Sequence, residues 1–380
     1  MATPLGTDKF SGSFKLGTLK IVEYGPGSIS RLPSIFASFG VVKPFIVTGN
    51  SVRTRTPILQ SICEVLGCRE TDVVVFSGIK EHAPVADIKE ALVLLAGASC
   101  DCILAVGGGS PIDSAKLLSH HHFSASSVRL PVVAIPTTLS VAETTCNAGY
   151  TNEAGDKVAI YDIESGVRAI IYDAELLKYT PVRLLVSSGM RAVDHAVETM
   201  YRESIGELPY KPLSLIALAD LFKYLPVIKA DPSDVCVGQL VQNAAFLSLF
   251  PQYAATGPVG LSHSLGHALG AKYGIPHGIT SCITLASAVR YKATTDPVAV
   301  AQLERIMPFI GLTSSTTPQL NGLKVADAIA ELVETLGLTT KLVQYNVPPE
   351  DAVVIAKHAM NGHEDPVVLA QLTALVQGLY

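Results

Sequence analysis

The chain has 380 residues, 48% of them hydrophobic, with a formal net charge of −5 and no tryptophan. That length exceeds one ordinary core and fits two domains. The acidic balance, with no basic stripe carrying aromatics, excludes nucleic acid as the expected partner, and apolar runs such as Leu213–Ala230 are broken by Asp220 and Lys223, so no membrane span is expected.

Met1–Lys15 is polar and rich in Gly and Ser, with neither an apolar signal core nor an Arg-rich presequence. The cysteines are scattered, odd in number and form no Cys-x-x-Cys pair, as expected of reduced thiols in a cytoplasmic protein. From Phe45 the signals alternate. Phe45–Thr48, Asp72–Phe76, Cys102–Val106 and Leu130–Ile135 read as strands, and Ile58–Leu66, Val85–Leu95 and Pro111–Ser119 as helices between them. Short apolar strands separated by helical patterns predict βαβ units and a parallel sheet. Asn147–Thr151 and Lys157–Tyr161, either side of Asn152-Glu-Ala-Gly155, predict a hairpin. After Pro181 the helical period takes over, in Val182–Tyr201, Leu213–Lys229, Val235–Leu249, Val298–Ile310, Leu323–Leu336 and Pro366–Val376. The expected fold is α/β plus all-α, with a parallel-sheet domain over residues 1–181 and a helical domain over 182–380.

Ile103–Val106 runs straight into Gly107-Gly-Gly-Ser-Pro-Ile-Asp-Ser-Ala-Lys116. Three glycines after a strand let backbone approach a ligand closely. Ser110 is the expected N-cap, with Pro111 in the first turn. The helix dipole and free N–H groups then make an anion site. The run is neither a Walker loop nor Gly-x-Gly-x-x-Gly. Pro136-Thr-Thr-Leu-Ser140 follows the next strand and adds donors from Thr137 and Thr138 at the same carboxyl edge, where open α/β sheets bind ligands. One glycine run alone also suits a tight packing turn; two such loops side by side favour a nucleotide.

In Gly260-Leu-Ser-His-Ser-Leu-Gly-His-Ala-Leu-Gly270, His263 and His267 are four apart and share a face if the segment is helical. His277, in Gly-Ile-Pro-His-Gly, can reach the same place from the start of the next element. Arg191 and His195 have the same spacing in Gly189-Met-Arg-Ala-Val-Asp-His-Ala-Val-Glu198, with Asp194 and Glu198 expected to share their face only in part. A single helical His is more often structural than functional, but four in such segments are expected to converge. His120, His121 and His122 are expected to end a helix as solvated groups, and His82, His358 and His363 have no partner in the sequence.

Taken together, these motifs resemble the iron-containing (group III) alcohol dehydrogenase family, and around His263-x-x-x-His267 its maleylacetate reductase-like branch. The resemblance spans nearly the whole chain; the order of the motifs carries it, since none is specific alone. It implies a dehydroquinate synthase-like fold, with a dinucleotide-binding lobe and a helical active-site lobe. It also implies hydride transfer between NAD(P)H and the carbonyl of a small-molecule substrate. By the resemblance Gly107, Gly108, Gly109 and Ser110 cradle the pyrophosphate, and Asp113, Thr137, Thr138 and Lys157 lie along the cofactor. His195, His263 and His277 match three of the family's metal ligands, and His267 matches its active-site His that is not a ligand. Family members are often dimers, so a homodimer is implied by analogy.

The departure is Arg191, where most members carry the fourth ligand, Asp. A guanidinium is not deprotonated and repels a divalent ion. A catalytic iron or zinc is therefore not expected. Arg191 is expected to stabilise the developing alkoxide or to grip a substrate carboxylate, with His267 or His263 giving the proton. Asp194, about 100° round the helix from His195, is a poor substitute ligand. Where the family often has an Asp that binds the ribose of NAD, this chain has Gly49, Asn50 and Ser51. A 2′-phosphate is then not repelled, and NADP is expected over NAD. Phe246, Phe250, Tyr253, Leu261 and Tyr273 are expected round the substrate. Two alternatives stay open: a non-redox lyase or cyclase on the same fold, and a metal-dependent alcohol dehydrogenase using His195, His263 and His277.

Overall fold

Six strands form one parallel sheet in a computed structural model that describes residues 17–251 and 259–380. The readings of Met1–Lys15 and of Tyr253 lie outside the described residues. In chain order the strands are β1 (Ile21–Tyr24), β2 (Pro44–Thr48), β3 (Val74–Phe76), β4 (Cys102–Gly107), β5 (Val132–Pro136), β6 (Asn147–Thr151), β7 (Lys157–Tyr161) and β8 (Val167–Tyr172). The sheet order is β1-β8-β5-β4-β2-β3, and β6 and β7 pair as a separate antiparallel hairpin. β2, β4 and β5 are buried along their whole length, which is why they read as unbroken apolar runs. Alternate residues Ile46, Leu104, Val106, Val133, Ile135, Ala169 and Ile171 share one face with Leu32, Ile35, Ile58 and Ile62 in a single core. Each Val, Leu or Ile side chain among them contributes roughly 1.5–3 kcal/mol by leaving water.

Two strands escape the sequence reading. β1 is a short, half-buried edge strand paired only with β8. β8 is interior, but Arg168 interrupts it and a helical-looking stretch follows directly. The predicted strand at Asp72 begins only at Val74, because Glu70–Asp72 is a 3-10 turn held by Arg69 and Asp72. The predicted helix Pro111–Ser119 runs instead from Gly109 to Ser126. His120 to His122 therefore lie inside it, and His120 Nδ1 is bonded to Asp162 Oδ2 at 2.7 Å.

The chain divides into two compact units. One takes the described chain up to Leu185 together with Ala230–Asn243, and the other takes Val186–Lys229 with the described part of Ala244–Tyr380. The second unit is helical throughout. Ala230–Asn243 thus joins the strand-bearing unit, where a β-carbon on Gly238 would lie 3.5 Å from that of Ala174. Among the described residues no helix is long and apolar enough to cross a membrane.

The strand order positions a site. From β2 the chain steps outward to β3, then returns past β2 to β4 and on to β5. The direction reverses between β2 and β4, and ligands of open sheets bind outside the carboxyl ends at such a switch point.

Candidate active site

At the switch point β2 ends at Thr48, whose Oγ1 donates to Val106 O of β4 at 2.7 Å. Gly107 has φ 135°, a backbone that glycine alone adopts readily. The following helix, Gly109–Ser126, is N-capped by the backbone of Gly108, with no side-chain cap, so Ser110 sits in the first turn and is not the cap. Its leading N–H groups are left for a ligand, which fits an anionic phosphate. Gly108 and Gly109 have a second reason to be small: β-carbons there would meet Thr138 Cγ2 at 3.2 Å and Ser140 Oγ at 3.4 Å. Thr137 N donates to Gly107 O at 2.9 Å, so the two loops are joined. Gly49 caps a short helix, Asn50–Arg55, which places Asn50 and Ser51 in its first turn.

Asp113 and Lys157 line these loops but are largely engaged by protein. Asp113 Oδ1 pairs with Lys116 Nζ at 2.7 Å, and Oδ2 accepts from Gly149 N at 3.1 Å. Lys157 Nζ donates to His82 O at 3.2 Å. The sequence reading gave Lys116 no role. It is fully buried, and its Nζ reaches Ala142 O, Thr145 O and Asn147 O, pinning the loop after β5 to the phosphate-loop helix. A buried cation three residues after an Asp was the available signal.

Glu143 in the same loop is fully buried. Tyr172 OH donates to its Oε1 at 2.7 Å, and Oε2 has no partner among the described residues. Burial raises its pKa to about 7, against the Tyr172 hydrogen bond and the Lys116 charge, which lower it. A carboxyl raised on folding stabilises fully below its unfolded value and loses that stability as pH rises through the folded one. Urea unfolding is therefore expected to show the protein weaken between pH 5 and 8, by up to about 3 kcal/mol. In Glu143→Gln this slope flattens; an unchanged slope contradicts the assignment.

In the helical unit, Arg191, Asp194, His195 and Glu198 lie on one stripe of the helix Val182–Tyr201, at i, i+3, i+4 and i+7. Asp194 and Glu198, expected to share the face of Arg191 and His195 only in part, fall within the same stripe, since a separation of about 100° lies inside an apolar-width face. All four meet the helix Leu261–Tyr273, which confirms the helical reading of Gly260–Gly270. His263 Nε2 lies 2.9 Å from His195 Nδ1. On its other side His263 Nδ1 lies 2.6 Å from Glu198 Oε2 and 3.3 Å from Asp194 Oδ1. Neither carboxylate contact has hydrogen-bond alignment, so these are ion-pair contacts. Asp194 Oδ2 accepts from Ser281 Oγ at 2.5 Å and Ser262 Oγ at 2.9 Å, with Arg191 Nη1 at 3.4 Å. Arg191 Nη1 also donates to Ser281 Oγ at 3.1 Å. Glycine admits this cluster: a β-carbon on Gly260 would lie 2.0 Å from Glu198 Cδ.

Arg191, Asp194, Glu198, Ser262, His263 and Ser281 are each 5% exposed or less. The charges balance two against two if His263 is imidazolium. Burial and Arg191 push its pKa down, but Asp194 and Glu198 prevail and hold it above the ordinary value. His195 goes the other way: burial, then His263 and Arg191, keep it well below. His277 opens the helix His277–Thr295 and stacks on His267, with ring centroids 5.8 Å apart.

His263 thus meets His195 and His267 stacks on His277, and among the described residues His195, His263 and His277 are not a group of donors close enough to share an ion. Among the described residues the group of three donors close enough to share an ion is Asp194, Glu198 and His263. It fits a metal poorly. Ligands on a tetrahedral ion stand roughly 3.4 Å apart, whereas Nδ1 and Oε2 touch at 2.6 Å and a guanidinium nitrogen already lies 3.4 Å from Asp194. Of the expected substrate residues, Phe246 and Phe250 pack edge to face on each other, and Tyr273 OH donates to Asp351 Oδ2 at 2.6 Å.

A nucleotide loop on a parallel sheet, with a histidine-bearing helical unit, belongs to an NAD(P)-dependent oxidoreductase. More narrowly, the chain belongs to the iron-containing alcohol dehydrogenase family: residues 20–174 match the iron-containing alcohol dehydrogenase profile, and residues 185–374 match the C-terminal region of the same family. It is 28% identical to a maleylacetate reductase of Sphingobium indicum, over 94% of this chain and 96% of that one. A maleylacetate reductase of Burkholderia cepacia is 27% identical, over 91% and 90%. The fold is shared with the crystal structure of maleylacetate reductase from Agrobacterium tumefaciens, at a TM-score of 0.80 and 22% identity, covering 97% of this chain and 99% of that one.

Proposed function

We propose that the protein reduces the carbonyl of a carboxylate-bearing substrate with NADPH, through Arg191 and imidazoles rather than a metal ion. The observation that carries this is the buried Arg191, held by Asp194 and Ser281 where the family resemblance calls for a ligand. Gly107–Ser110, Thr137 and Thr138 would hold the dinucleotide, which would supply the hydride for the carbonyl carbon. The oxygen then needs a proton and a counter-charge. His263, kept charged by Glu198 and Asp194, faces Nδ1 of neutral His195, which leaves Nε2 of His195 to carry the proton outward. Arg191 supplies fixed positive charge in a dry site, where it stabilises a developing alkoxide or a substrate carboxylate strongly. The similarity to proteins named maleylacetate reductase supports an acidic substrate. The stretch Gly49–Arg53 carries no carboxylate to repel a 2′-phosphate, which supports NADPH.

The test is NAD(P)H oxidation across oxo acids, unsaturated oxo acids and matching neutral ketones, before and after dialysis against a chelator. Turnover of the acids, faster with NADPH and untouched by dialysis, is expected. Activity lost with the metal and restored by iron or zinc overturns the metal-free reading, and a marked preference for NADH overturns the cofactor choice.

A further inference from the structure

The helix Val182–Tyr201 runs directly into Arg202, whose N–H still donates to Glu198 O at 3.0 Å, so the last helical turn carries through it. Four residues beyond Glu198 and seven beyond His195, Arg202 continues the stripe of Arg191, Asp194, His195 and Glu198. Long helical side chains lean toward the N-terminus, which brings the Arg202 guanidinium back over Glu198. After burial, His263 and Arg191, the charge of Arg202 is the next influence that keeps His195 below its ordinary pKa. Yet Arg202 has no partner of its own. It is half-buried, its Nε is buried without a hydrogen bond, and no carboxylate among the described residues pairs with it. Glu198 is occupied at both oxygens: Oε1 accepts from Ser262 N at 2.7 Å, and Oε2 lies 2.6 Å from His263 Nδ1. Glu203 is exposed, and Glu207 pairs with Arg305 and Lys211.

The stripe therefore carries one positive charge too many. Asp194 and Glu198 already balance Arg191 and a protonated His263, and Arg202 is left over. Burial pushes its pKa down against the pull of Glu198. A guanidinium nevertheless stays charged in a protein, and a charge withdrawn from water calls for a counter-ion. We propose that the substrate brings this counter-ion: Arg202 grips the substrate carboxylate, while Arg191, tied to Asp194 and Ser281, is left to face the developing alkoxide. This rests on the reading that the protein reduces a carboxylate-bearing carbonyl compound. A guanidinium takes a carboxylate through two parallel N–H bonds, so Arg202 sets the orientation of the substrate as well as its affinity.

The experiment is steady-state kinetics of the full chain with NAD(P)H, comparing wild type with Arg202→Met and Arg202→Lys. Each is given the oxo acid that wild type turns over best and the neutral ketone of the same carbon skeleton. Arg202→Met is expected to raise KM for the acid by about tenfold to a hundredfold, the worth of a hydrogen bond to a charged group. The loss falls on KM rather than kcat, as it does when binding shared by ground and transition states is removed. The ketone is expected to suffer far less, and Arg202→Lys to recover part of the acid's affinity. In urea the midpoint of Arg202→Met is expected not to fall, because an unpaired charge has left a half-buried position. Equal losses on acid and ketone, or a lowered midpoint with no change in KM, overturn the role of Arg202. Wild type that gains nothing from the carboxylate overturns the underlying reading of an acidic substrate, and the role of Arg202 with it.

Discussion

Arg191→Ala is expected to destabilise the protein by about 3–5 kcal/mol, the cost of breaking a buried pair by removing one partner, and to reduce turnover by roughly a hundredfold or more, as loss of a preorganised charge does. Without the guanidinium, Asp194 and Glu198 face one imidazolium in a region closed to water. Arg191→Lys is expected to recover little, because a single ammonium cannot copy the planar fork that reaches Asp194 and Ser281 together. The decisive comparison is Arg191→Ala with Asp194→Asn. If the pair is a charge balance, the second change restores most of the stability in urea unfolding while leaving activity low. Additive losses would mean that the two residues act independently.

That cluster also marks where the sequence was readable and where it was not. The strands β2, β4 and β5 stood out because burial on both faces requires an uninterrupted apolar run. The helices of the second unit stood out by period, and Val182–Tyr201 was bounded to the residue. β1 was hidden because an edge strand of four residues needs little burial. Within the site, the spacing of His263 and His267 was read as bringing both rings to one spot. In the structure His263 meets Glu198 and His195 while His267 stacks on His277, and the carboxylates that hold His263 come from another helix. Spacing fixes which residues share a face of one helix, not which neighbour each ring meets. Asp194 was nearer to legible: its position three after Arg191 already allowed an ion pair. Gly260 drew no reading of its own; its constraint is the carboxylate of a residue 62 positions earlier in the chain.

Glu198→Gln is expected to lower kcat by roughly a hundredfold, the size of a general-acid contribution, while leaving KM for the cofactor unchanged. The amide keeps an oxygen for Ser262 N, which Glu198 Oε1 now holds at 2.7 Å, so the start of the helix Leu261–Tyr273 stays anchored. It loses the negative charge 2.6 Å from His263 Nδ1. His263 then no longer favours imidazolium, and its Nε2 ceases to present a proton to His195 Nδ1 across 2.9 Å. His195→Ala removes the far end of the same line and is expected to cost about as much. The double variant is therefore expected to be no slower than either single one, since residues that act as one unit give strongly non-additive losses. Steady-state kinetics of the three variants would sink the idea if their losses multiplied. Multiplied losses would assign Glu198 to holding the helix and His195 to a separate task, and would return the proton to the stacked pair His267 and His277.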